Sequence, residues 1–538
     1  MKPKEWNEGL NNLDPDLVEE YVTQRDVYTQ KKKPTRPYWI AAAAALLALV
    51  ITLAAAFGGN PATPGTTGNP LLEHSQPSSS FFCTDPSSSI KPTIFPTTPP
   101  TIPSTPSPTT PTPSGIIPPD SPVFANLLAA PLYPEMVQYP NRKDFSSFQE
   151  YEEARAVYLA NQQSQYNQPD GYADSLTNFF SASIAQFLQG EGNTAYSPLN
   201  VYMAMAMLAE STGGNSRQQI LDLFGVNSIE ELRTQAGHVW NAHYCDDGRD
   251  TILMANSLWL DHQFPYHQET ADRLAQYYYA STFHGDLGTE ALDLQLREWL
   301  NANTGGLLKE QANNVKLNPE TVFALASTIY FTASWTDGFY KENTYDETFH
   351  APIDDIQTPF MHQTRRDAYY RGSNFGAICL SLGDGNRMWL ILPDEGFTTE
   401  DILKSDEYLQ LTLNPRSQLY GIEHEIHLSL PKFDVVQQQD LIKGMKKLGI
   451  TDVFNPSISD FSSISSMQNL FISQINHAAR VTIDEKGCTA AAFTVIEAAA
   501  DSAPPKVEEL YFTLDRPFLF LVTSRDHLPL FAGVVNEP

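Results

Sequence analysis

One segment constrains this chain more than any other, because it reads as a loop that could become a strand. Residues 482–520 are TIDEKGCTAAAFTVIEAAADSAPPKVEELYFTLDRPFLF. The alanines favour a helix over residues 490–500, since alanine has the highest helix propensity. Pro504 and Pro505 can continue neither a helix nor a central strand. The segment is therefore either a short helix between strands or a loop with a second conformation.

Read with the two-residue period of a strand, the same segment has one face without charge. That face collects Cys488, Ala490, Ala492, Thr494, Ile496, Ala498 and Ala500. The only charge before the end of the run, Glu497, lies on the other face. Such a segment can enter the middle of a sheet with its small side chains on the core.

Several motifs, in this order along the chain, resemble those of the serpins, the serine protease inhibitor superfamily. They are NTAYSPLNVYMAMAMLAESTGGNSRQQIL from Asn193, STIYFTASW ending at Trp335, LSLPKF at 428–433, TIDEKG at 482–487 and the closing DRPFLFLVTSRDHLPLFAGVVNEP. They run from Asn193 to the last residue of the sequence, and we expect residues 172–538 to form one serpin domain.

The resemblance implies an α+β fold with three β-sheets, about eight to nine helices and an exposed reactive-centre loop. Periodicity agrees with a mixture of the two element types. Helical patterns cover residues 175–188, 199–211 and 291–301, and strand patterns cover 251–260, 322–331, 377–382, 387–392 and 425–430.

The resemblance also implies an irreversible suicide-substrate inhibitor of extracellular serine proteases, with cysteine proteases as the alternative target class. A protease cleaves the loop, which then inserts into the main sheet. The hinge of the loop comprises Glu485, Lys486, Gly487, Cys488, Thr489, Ala490, Ala491 and Ala492. The small, uncharged residues from Cys488 to Ala492 favour inhibition. The alternative is a non-inhibitory serpin that serves as a surface binding or adhesion module.

The reactive bond follows from the register of the family, which places the scissile residue fourteen positions after the hinge glycine. Counting from Gly487 reaches Asp501, with Ser502 beyond the cut. This register predicts an acid-specific protease, whose basic pocket would pair with the carboxylate. The alternative is cleavage between Ala500 and Asp501 by an elastase-like or subtilisin-like protease.

Two further sites follow from the resemblance alone. Trp335 matches the family's breach tryptophan, whereas its plain interpretation is core packing. His477 matches the shutter histidine and Ser197 a partner of it on the core helix, and a buried histidine without a switching role is the alternative for His477. The asparagine expected in the strand before Trp335 is Ser327 in this chain.

No catalytic, metal or cofactor motif is present in the sequence. It has no G-x-S-x-G elbow, no P-loop and no H-E-x-x-H helix, so we expect no enzyme activity. His424 and His427 fall on a predicted strand, which argues against zinc. The formal net charge of -29 argues against nucleic-acid binding. We expect a monomer without cofactors whose partner is the target protease.

Four cysteines are too few for a disulfide scaffold. They are Cys83, Cys245, Cys379 and Cys488. A bridge between Cys245 and Cys379 is conceivable, whereas Cys488 is expected to be a free thiol in the hinge.

The first half of the chain predicts a cell-surface anchor of the bacterial type. Residues 38–57 form a charge-free run of 20 residues, long enough to cross a bilayer as a helix. Lysines and Arg36 precede the run, and no Lys or Arg follows before Lys91, so residues 1–37 face the cytoplasm and the serpin domain lies outside the cell. The alternative is a cleaved signal peptide and a secreted protein.

Two linking segments complete the predicted organisation. Residues 58–122 hold 17 of the 39 prolines and form a disordered, extended stalk rich in Pro, Ser and Thr. Residues 123–171 form a lead-in segment, which either docks on the serpin domain through a short helix or continues the linker.

Overall fold

The computed structural model describes residues 126–131, 133, 136–313, 315–317, 321–413, 421–488 and 507–538. The predicted cytoplasmic tail, transmembrane helix and stalk (residues 1–37, 38–57 and 58–122) lie outside these residues. Within the described part, no helix is both long enough and apolar enough to span a bilayer.

The described residues contain eleven α-helices. They are α1 Phe148–Tyr166, α2 Thr177–Phe187, α3 Pro198–Ser211, α4 Gly214–Phe224, α5 Ile229–His243, α6 Gln268–Tyr278, α7 Glu290–Asn303, α8 Lys309–Asn313, α9 Thr399–Leu403, α10 Glu407–Thr412 and α11 Ile442–Lys447. Four of them span six residues or fewer, which is too short to leave an apolar period in the sequence. The helices therefore outnumber the eight to nine that we expected.

The same residues contain seventeen strands. They are β1 Leu127–Ala129, β2 Thr194–Tyr196, β3 Cys245–Asp246, β4 Thr251–Asp261, β5 Ala280–Gly285, β6 Phe323–Ser334, β7 Thr344–His350, β8 Asp355–Arg371, β9 Phe375–Ser381, β10 Arg387–Pro393, β11 Ile422–Pro431, β12 Phe433–Asp440, β13 Asn476–Asp484, β14 Gly487–Cys488, β15 Glu508–Thr513, β16 Phe518–Thr523 and β17 Pro529–Val535.

The strands form two main sheets. The first, an eight-stranded sheet, has the order β1-β5-β4-β6-β14-β13-β12, and β3 pairs with β4. The second, a nine-stranded sheet, has the order β15-β11-β8-β9-β10-β16-β17-β2, and β7 pairs with β8. The α+β class is thus as expected, whereas the expected number of three sheets is wrong for the described residues.

Strand β8 connects several strands of the nine-stranded sheet. This strand has 17 residues and pairs with β7 and β11 along most of its length. Its last residues, from Tyr369 to Arg371, pair with β9, and Tyr369 also pairs with Ile422 of β11. The ladders of β8 therefore hold β7, β9 and β11 in one sheet.

Helix α3 is buried between the two sheets. Ser197 caps its first turn by accepting a hydrogen bond from the backbone N–H of Asn200, and Pro198 occupies the first turn, where its missing N–H costs nothing. All but one of its residues are buried. Helix α3 ends at Ser211, where the predicted helical pattern ends, and Gly214 begins α4.

The other predicted elements lie close to observed ones. The helical patterns correspond to α2, α3 and α7, and the strand patterns to β4, β6, β9, β10 and β11. The lead-in segment contains β1 and α1. Cys245, Cys379 and Cys488 are free thiols, so the conceivable bridge between the first two is absent.

Candidate functional site: the hinge and the cleft below it

The hinge residues at the start of the ambiguous segment form a narrow strand inside the eight-stranded sheet. Gly487 and Cys488 make up β14, which is antiparallel to both of its neighbours. On one side Cys488 faces Ala333 of β6, and on the other it faces Ile483 of β13. The chain therefore turns back after β13 and enters the sheet for two residues.

Gly487 is required here by close approach of the backbone. Its φ is +152°, and a Cβ atom on it would lie 2.2 Å from the carbonyl oxygen of Ala333 and 2.8 Å from the Cα of Ser334. Both atoms belong to the backbone of β6 and cannot move aside without breaking the ladder. Only glycine fits between the two strands at this point.

Cys488 directs its side chain to the core. Its side chain is 2% exposed, and burial raises the pKa of its thiol to about 12. The thiol is therefore protonated near neutral pH and behaves as a small apolar group. This orientation is the one expected from the uncharged face of the segment.

Trp335 holds the turn that leads from β13 into β14. The indole Nε1–H donates to the carbonyl of Asp484 at 2.8 Å, and the backbone N–H of Trp335 donates to the carbonyl of Lys486 at 3.0 Å. The ring is buried and packs edge-on against Phe339, with 5.9 Å between the ring centroids. Trp335 thus joins β6 to the point where the hinge begins.

An ion pair holds the same turn from the other side. The Lys432 ammonium lies 2.9 Å from the Glu485 carboxylate, which is almost fully buried. Burial opposes ionisation of Glu485, but its hydrogen bonds, first among them that from Lys432, outweigh burial and lower its pKa. Lys432 belongs to the LSLPKF motif, so two distant motifs meet at the hinge.

The predicted shutter residues lie together beneath the sheet. The backbone N–H of Ser197 donates to Nε2 of His477 at 3.1 Å, and the Ser197 hydroxyl donates to the carbonyl of Leu530 at 2.7 Å. Burial lowers the pKa of His477 to about 4. Because Nε2 accepts a hydrogen bond, the neutral ring carries its proton on Nδ1.

Sequence reasoning missed one member of this cluster, Asn200. The hydroxyl of Ser327 donates to the side-chain oxygen of Asn200, so an amide on helix α3 faces a hydroxyl on β6. The expected asparagine of the strand is therefore absent, but an amide is present on the opposite wall. Asn200 stands three positions after Ser197, and this spacing, typical of the first turn after an N-cap, could have revealed it.

A cleft lies below the hinge, between β6 and β13. Among the described residues, no ladder joins these two strands directly, and their connection runs through β14 alone. A cavity of about 470 Å³ occupies the cleft, between helix α3 on one side and helices α7 and α8 on the other. Its walls include Asn200, Ser327 and His477.

The reactive-bond residues lie outside the described part of the chain. These are Asp501 and Ser502, with the alternative pair Ala500 and Asp501, and the same holds for the hinge residues Thr489, Ala490, Ala491 and Ala492. The structure therefore brings together Glu485, Lys486, Gly487, Cys488 and Trp335 at the breach, and Ser197, Ser327 and His477 at the shutter. No cluster of metal-ligating side chains occurs among the described residues.

Comparisons with known proteins agree with this geometry. The family model described as serpin (serine protease inhibitor) matches residues 175–538. Leukocyte elastase inhibitor of Homo sapiens is 30% identical over 359 residues, which cover 64% of this chain and 93% of the relative. An uncharacterized serpin-like protein of Thermococcus kodakarensis is 26% identical over 372 residues, which cover 67% of this chain and 84% of the relative.

Solved structures show the same fold. The thermophilic serpin tengpin in its native state aligns with a TM-score of 0.61 and 23% identity, over 69% of this chain and 95% of tengpin. Its latent state aligns with a TM-score of 0.57 and 22% identity, over 69% of this chain and 98% of tengpin. Serpins bind target proteases as inhibitors and are not enzymes. Since the family model matches well over half of its length, this chain belongs to the serpin family.

Proposed function

We propose that this serpin is an irreversible, suicide-substrate inhibitor of extracellular proteases. The observation that carries the proposal is the hinge strand β14, which lies between β6 and β13 at the head of the cleft. Residues that follow Cys488 need only extend this strand to fill the cleft as a new middle strand. The proposed trigger is cleavage of the loop, which frees one end to move.

The register of β14 assigns a partner to each inserting residue. If the ladder continues, Ala490 faces Phe331 and Val481, and Thr494 faces Ser327 and His477. The core face then carries small or apolar groups, except where Thr494 meets the hydroxyl and imidazole of the shutter. The opposite face carries Glu497, as the period of the sequence requires. Composition and register are thus mutually consistent with insertion.

The energy that insertion supplies follows from the hydrogen bonds it forms. Each ladder hydrogen bond contributes on the order of 1 kcal/mol net, so a dozen or more supply about 10 kcal/mol. A strand of about fifteen residues carries its cut end some 50 Å at about 3.3 Å per residue. An enzyme still attached through its acyl bond would be carried the same distance and deformed.

We infer that the reactive bond is Asp501–Ser502 and that the target has a basic primary pocket. Cleavage after Ala500 by an elastase-like or subtilisin-like protease is the alternative. The name of the human relative, leukocyte elastase inhibitor, supports the inference that the partner is a protease. It does not decide between the two bonds.

The test mixes the full chain, in detergent, with acid-specific, elastase-like and subtilisin-like proteases. A complex that survives denaturing electrophoresis, with a C-terminal peptide beginning at Ser502, is the expected result. A peptide beginning at Asp501 would move the reactive bond to the alternative position. Cleavage without any complex across the panel would refute inhibition and favour the second candidate, a non-inhibitory binding or adhesion module.

A pair of variants tests insertion itself. Ala490→Glu places a charge between Phe331 and Val481, both of which are buried, so we expect a substrate that is cut without trapping the protease. Ala491→Glu is the matched control, because the same register turns residue 491 outward beside Arg480. Equal stoichiometry of inhibition for the two variants would contradict the insertion register.

We also propose where the inhibitor acts. Residues 38–57 anchor the chain in the membrane of a bacterial-type cell, residues 1–37 lie in the cytoplasm, and the stalk of residues 58–122 holds the serpin domain outside. The charge-free run and the lysines before it support this arrangement. We expect the domain to act as a monomer.

Cell fractionation tests the anchor. The full chain should sediment with membranes and should be accessible to protease added outside intact cells, whereas a variant without residues 38–57 should not sediment. A soluble form whose N-terminus follows Ala56 would show instead that the segment is a cleaved signal peptide, and would replace the anchored protein by a secreted one.

A further inference from the structure

The lower part of the cleft between β6 and β13 is large enough to hold a small molecule. Its cavity of about 470 Å³ falls within the range of roughly 300–1,000 Å³ that is typical of ligand sites. At about 30 Å³ for each water molecule, the cavity equals the space of roughly fifteen non-hydrogen atoms. Met467 and Phe471 line it and are also 39% and 47% exposed, so the cavity adjoins the surface. A ligand therefore has room and a route of entry.

The walls of the cavity carry no formal charge. Among the described residues that line it, none is Asp, Glu, Lys or Arg, although these types make up 18% of the sequence. Helices α3 and α7 contribute aliphatic side chains, namely Val201, Met205, Leu208, Leu296 and Leu300. An ion would lose its hydration in this cavity without gaining a counter-charge, which is costly. The walls therefore favour an uncharged, mainly aliphatic ligand.

Two buried side chains in the wall, those of His477 and Asn200, offer hydrogen-bond donors. They are 3% and 7% exposed. Because Nε2 of His477 accepts from Ser197, its proton lies on Nδ1, and this N–H has no acceptor within the described chain. The side-chain oxygen of Asn200 accepts from Ser327, which leaves the NH₂ group of the same amide without a described partner. Buried donors normally have partners, so these two match an acceptor such as a carbonyl oxygen.

Helix α3 leaves space for the ligand at Ala204. This alanine is the one residue of α3 that is not buried, although the helix lies between the two sheets, and it lines the cavity. Interiors are normally close-packed, and a larger side chain here would take up part of the cavity. The small side chain of Ala204 therefore helps to form the site.

The cavity lies on the path that the loop would take. If the ladder of β14 continued, residues 494–500 would lie between residues 321–327 and residues 471–477, and both of these flanking runs line the cavity. Thr494 would then stand between Ser327 and His477, where the acceptor of a ligand would lie. A bound molecule and the inserted loop therefore exclude one another.

We propose that this cavity binds a small, uncharged aliphatic molecule whose carbonyl oxygen accepts hydrogen bonds from His477 and Asn200, and that the bound molecule keeps the loop out of the sheet. Binding itself follows from the cavity alone. The effect on the loop rests on the proposed function, because it takes the cleft as the place of insertion. The bound molecule slows insertion, so water hydrolyses the acyl bond and the protease is released.

Equilibrium dialysis of octanamide against the full chain tests the site. Octanamide has an uncharged carbonyl head and an aliphatic tail that is short enough for the cavity. The protein is held in lipid nanodiscs, and nanodiscs without protein give the blank for partition into lipid. We expect binding with a Kd on the order of 10–100 μM, as is reasonable for a ligand of this size. Octylammonium has the same chain with a charged head and should bind at least about tenfold more weakly.

Three variants locate the binding. Ala204→Leu fills part of the cavity and should weaken octanamide binding by about tenfold or more, while leucine preserves the helix. Asn200→Leu removes one donor and should weaken binding by about fivefold to tenfold. Ala182→Leu is the matched control, because Ala182 is exposed on α2 and does not line the cavity, and it should leave binding unchanged. If Asn200→Leu fails to fold, Ala204→Leu and its control still decide the test.

The outcomes separate the ligand site from the inhibitory mechanism. No binding above the blank, equal binding by wild type and Ala204→Leu, or equal binding of octylammonium would overturn the site, even if covalent complexes with proteases still form. Saturating octanamide should also lower the yield of covalent complex, and an unchanged yield would overturn the effect on the loop. Binding with the expected response to the variants, but without a complex with any protease, would uphold the site and refute the inhibitory function.

Discussion

Acidification should destabilise the native domain through a single side chain, His477. Its imidazole is 3% exposed and accepts a hydrogen bond from the Ser197 backbone N–H, so a proton on Nε2 would place two donors against each other. Burial lowers its pKa from 6.5 to about 4. The unfolded chain therefore takes up a proton below pH 6.5 that the native domain refuses.

The sign and size of the effect follow by linkage. A depressed pKa contributes stability that is present above pH 6.5 and is lost as the pH falls toward about 4. At about 1.4 kcal/mol for each pKa unit, His477 alone removes about 2.5 kcal/mol between pH 7.5 and pH 4.5. Domains of this kind typically have a free energy of unfolding of about 5–15 kcal/mol. At the middle of that range, the loss at His477 is about a quarter of the total stability.

The assay compares wild type with His477→Gln, whose amide oxygen can accept the Ser197 hydrogen bond without titrating. The midpoint of the first urea transition is measured from pH 7.5 to pH 4.5, and the difference between the two proteins should shrink or change sign toward pH 4.5. His350→Gln is the exposed control, for which the trend should be small and opposite, because the hydrogen bond to Asp355 raises the pKa of His350. Identical pH profiles for wild type and His477→Gln would refute the reasoning.

Two further perturbations concern the hinge and one buried acid, Asp250. Gly487→Ala should expel the hinge from the sheet, since the new methyl group would overlap the Ala333 carbonyl. A thiol-reactive probe at pH 8 should then label Cys488 rapidly, whereas it should label wild type slowly because burial raises the pKa of that thiol to about 12. Equal labelling rates would contradict this expectation. Asp250→Asn should stabilise the domain more at pH 8 than at pH 5. Burial raises the pKa of Asp250 from 3.8 to about 6, so the native domain loses stability as the pH rises from 3.8 through 6, and thermal unfolding at both pH values checks the sign.

The parts of the site that could be predicted from the sequence are those within continuous motifs. The buried direction of Cys488 follows from a local pattern, because the two-residue period of a strand leaves a mark over a few residues, whereas the hinge and Trp335 were assigned from the resemblance. The ion pair between Lys432 and Glu485 does not, since it joins motifs more than 50 residues apart. Asn200 escaped notice because its role depends on which side chain of β6 faces helix α3.

Helix α1 was the least predictable element. Helix α1 is attached through tyrosine hydroxyls and glutamine side chains rather than through an apolar stripe. Its sequence therefore does not distinguish a helix that docks on the domain from a continuation of the linker. Its partners, Asp247 and Asp384, lie in turns of two different sheets. The number of sheets was hard to predict for a similar reason, because it depends on β8 pairing with β9 as well as with β11 near its end.

The placement of the last two strands has a consequence for what becomes of a cut molecule. Every residue of β16 and β17 is buried, and their ladders to β10 and β2 lie within the nine-stranded sheet. Cleavage at the proposed bond would make residues 502–538 a separate chain, which the ladders of β16 and β17 would still hold in the domain. The product would be a tight noncovalent heterodimer of two unequal pieces. Native mass spectrometry would then give almost the mass of the uncut chain. Only a measurement under denaturing conditions would show that the reactive bond had been cleaved.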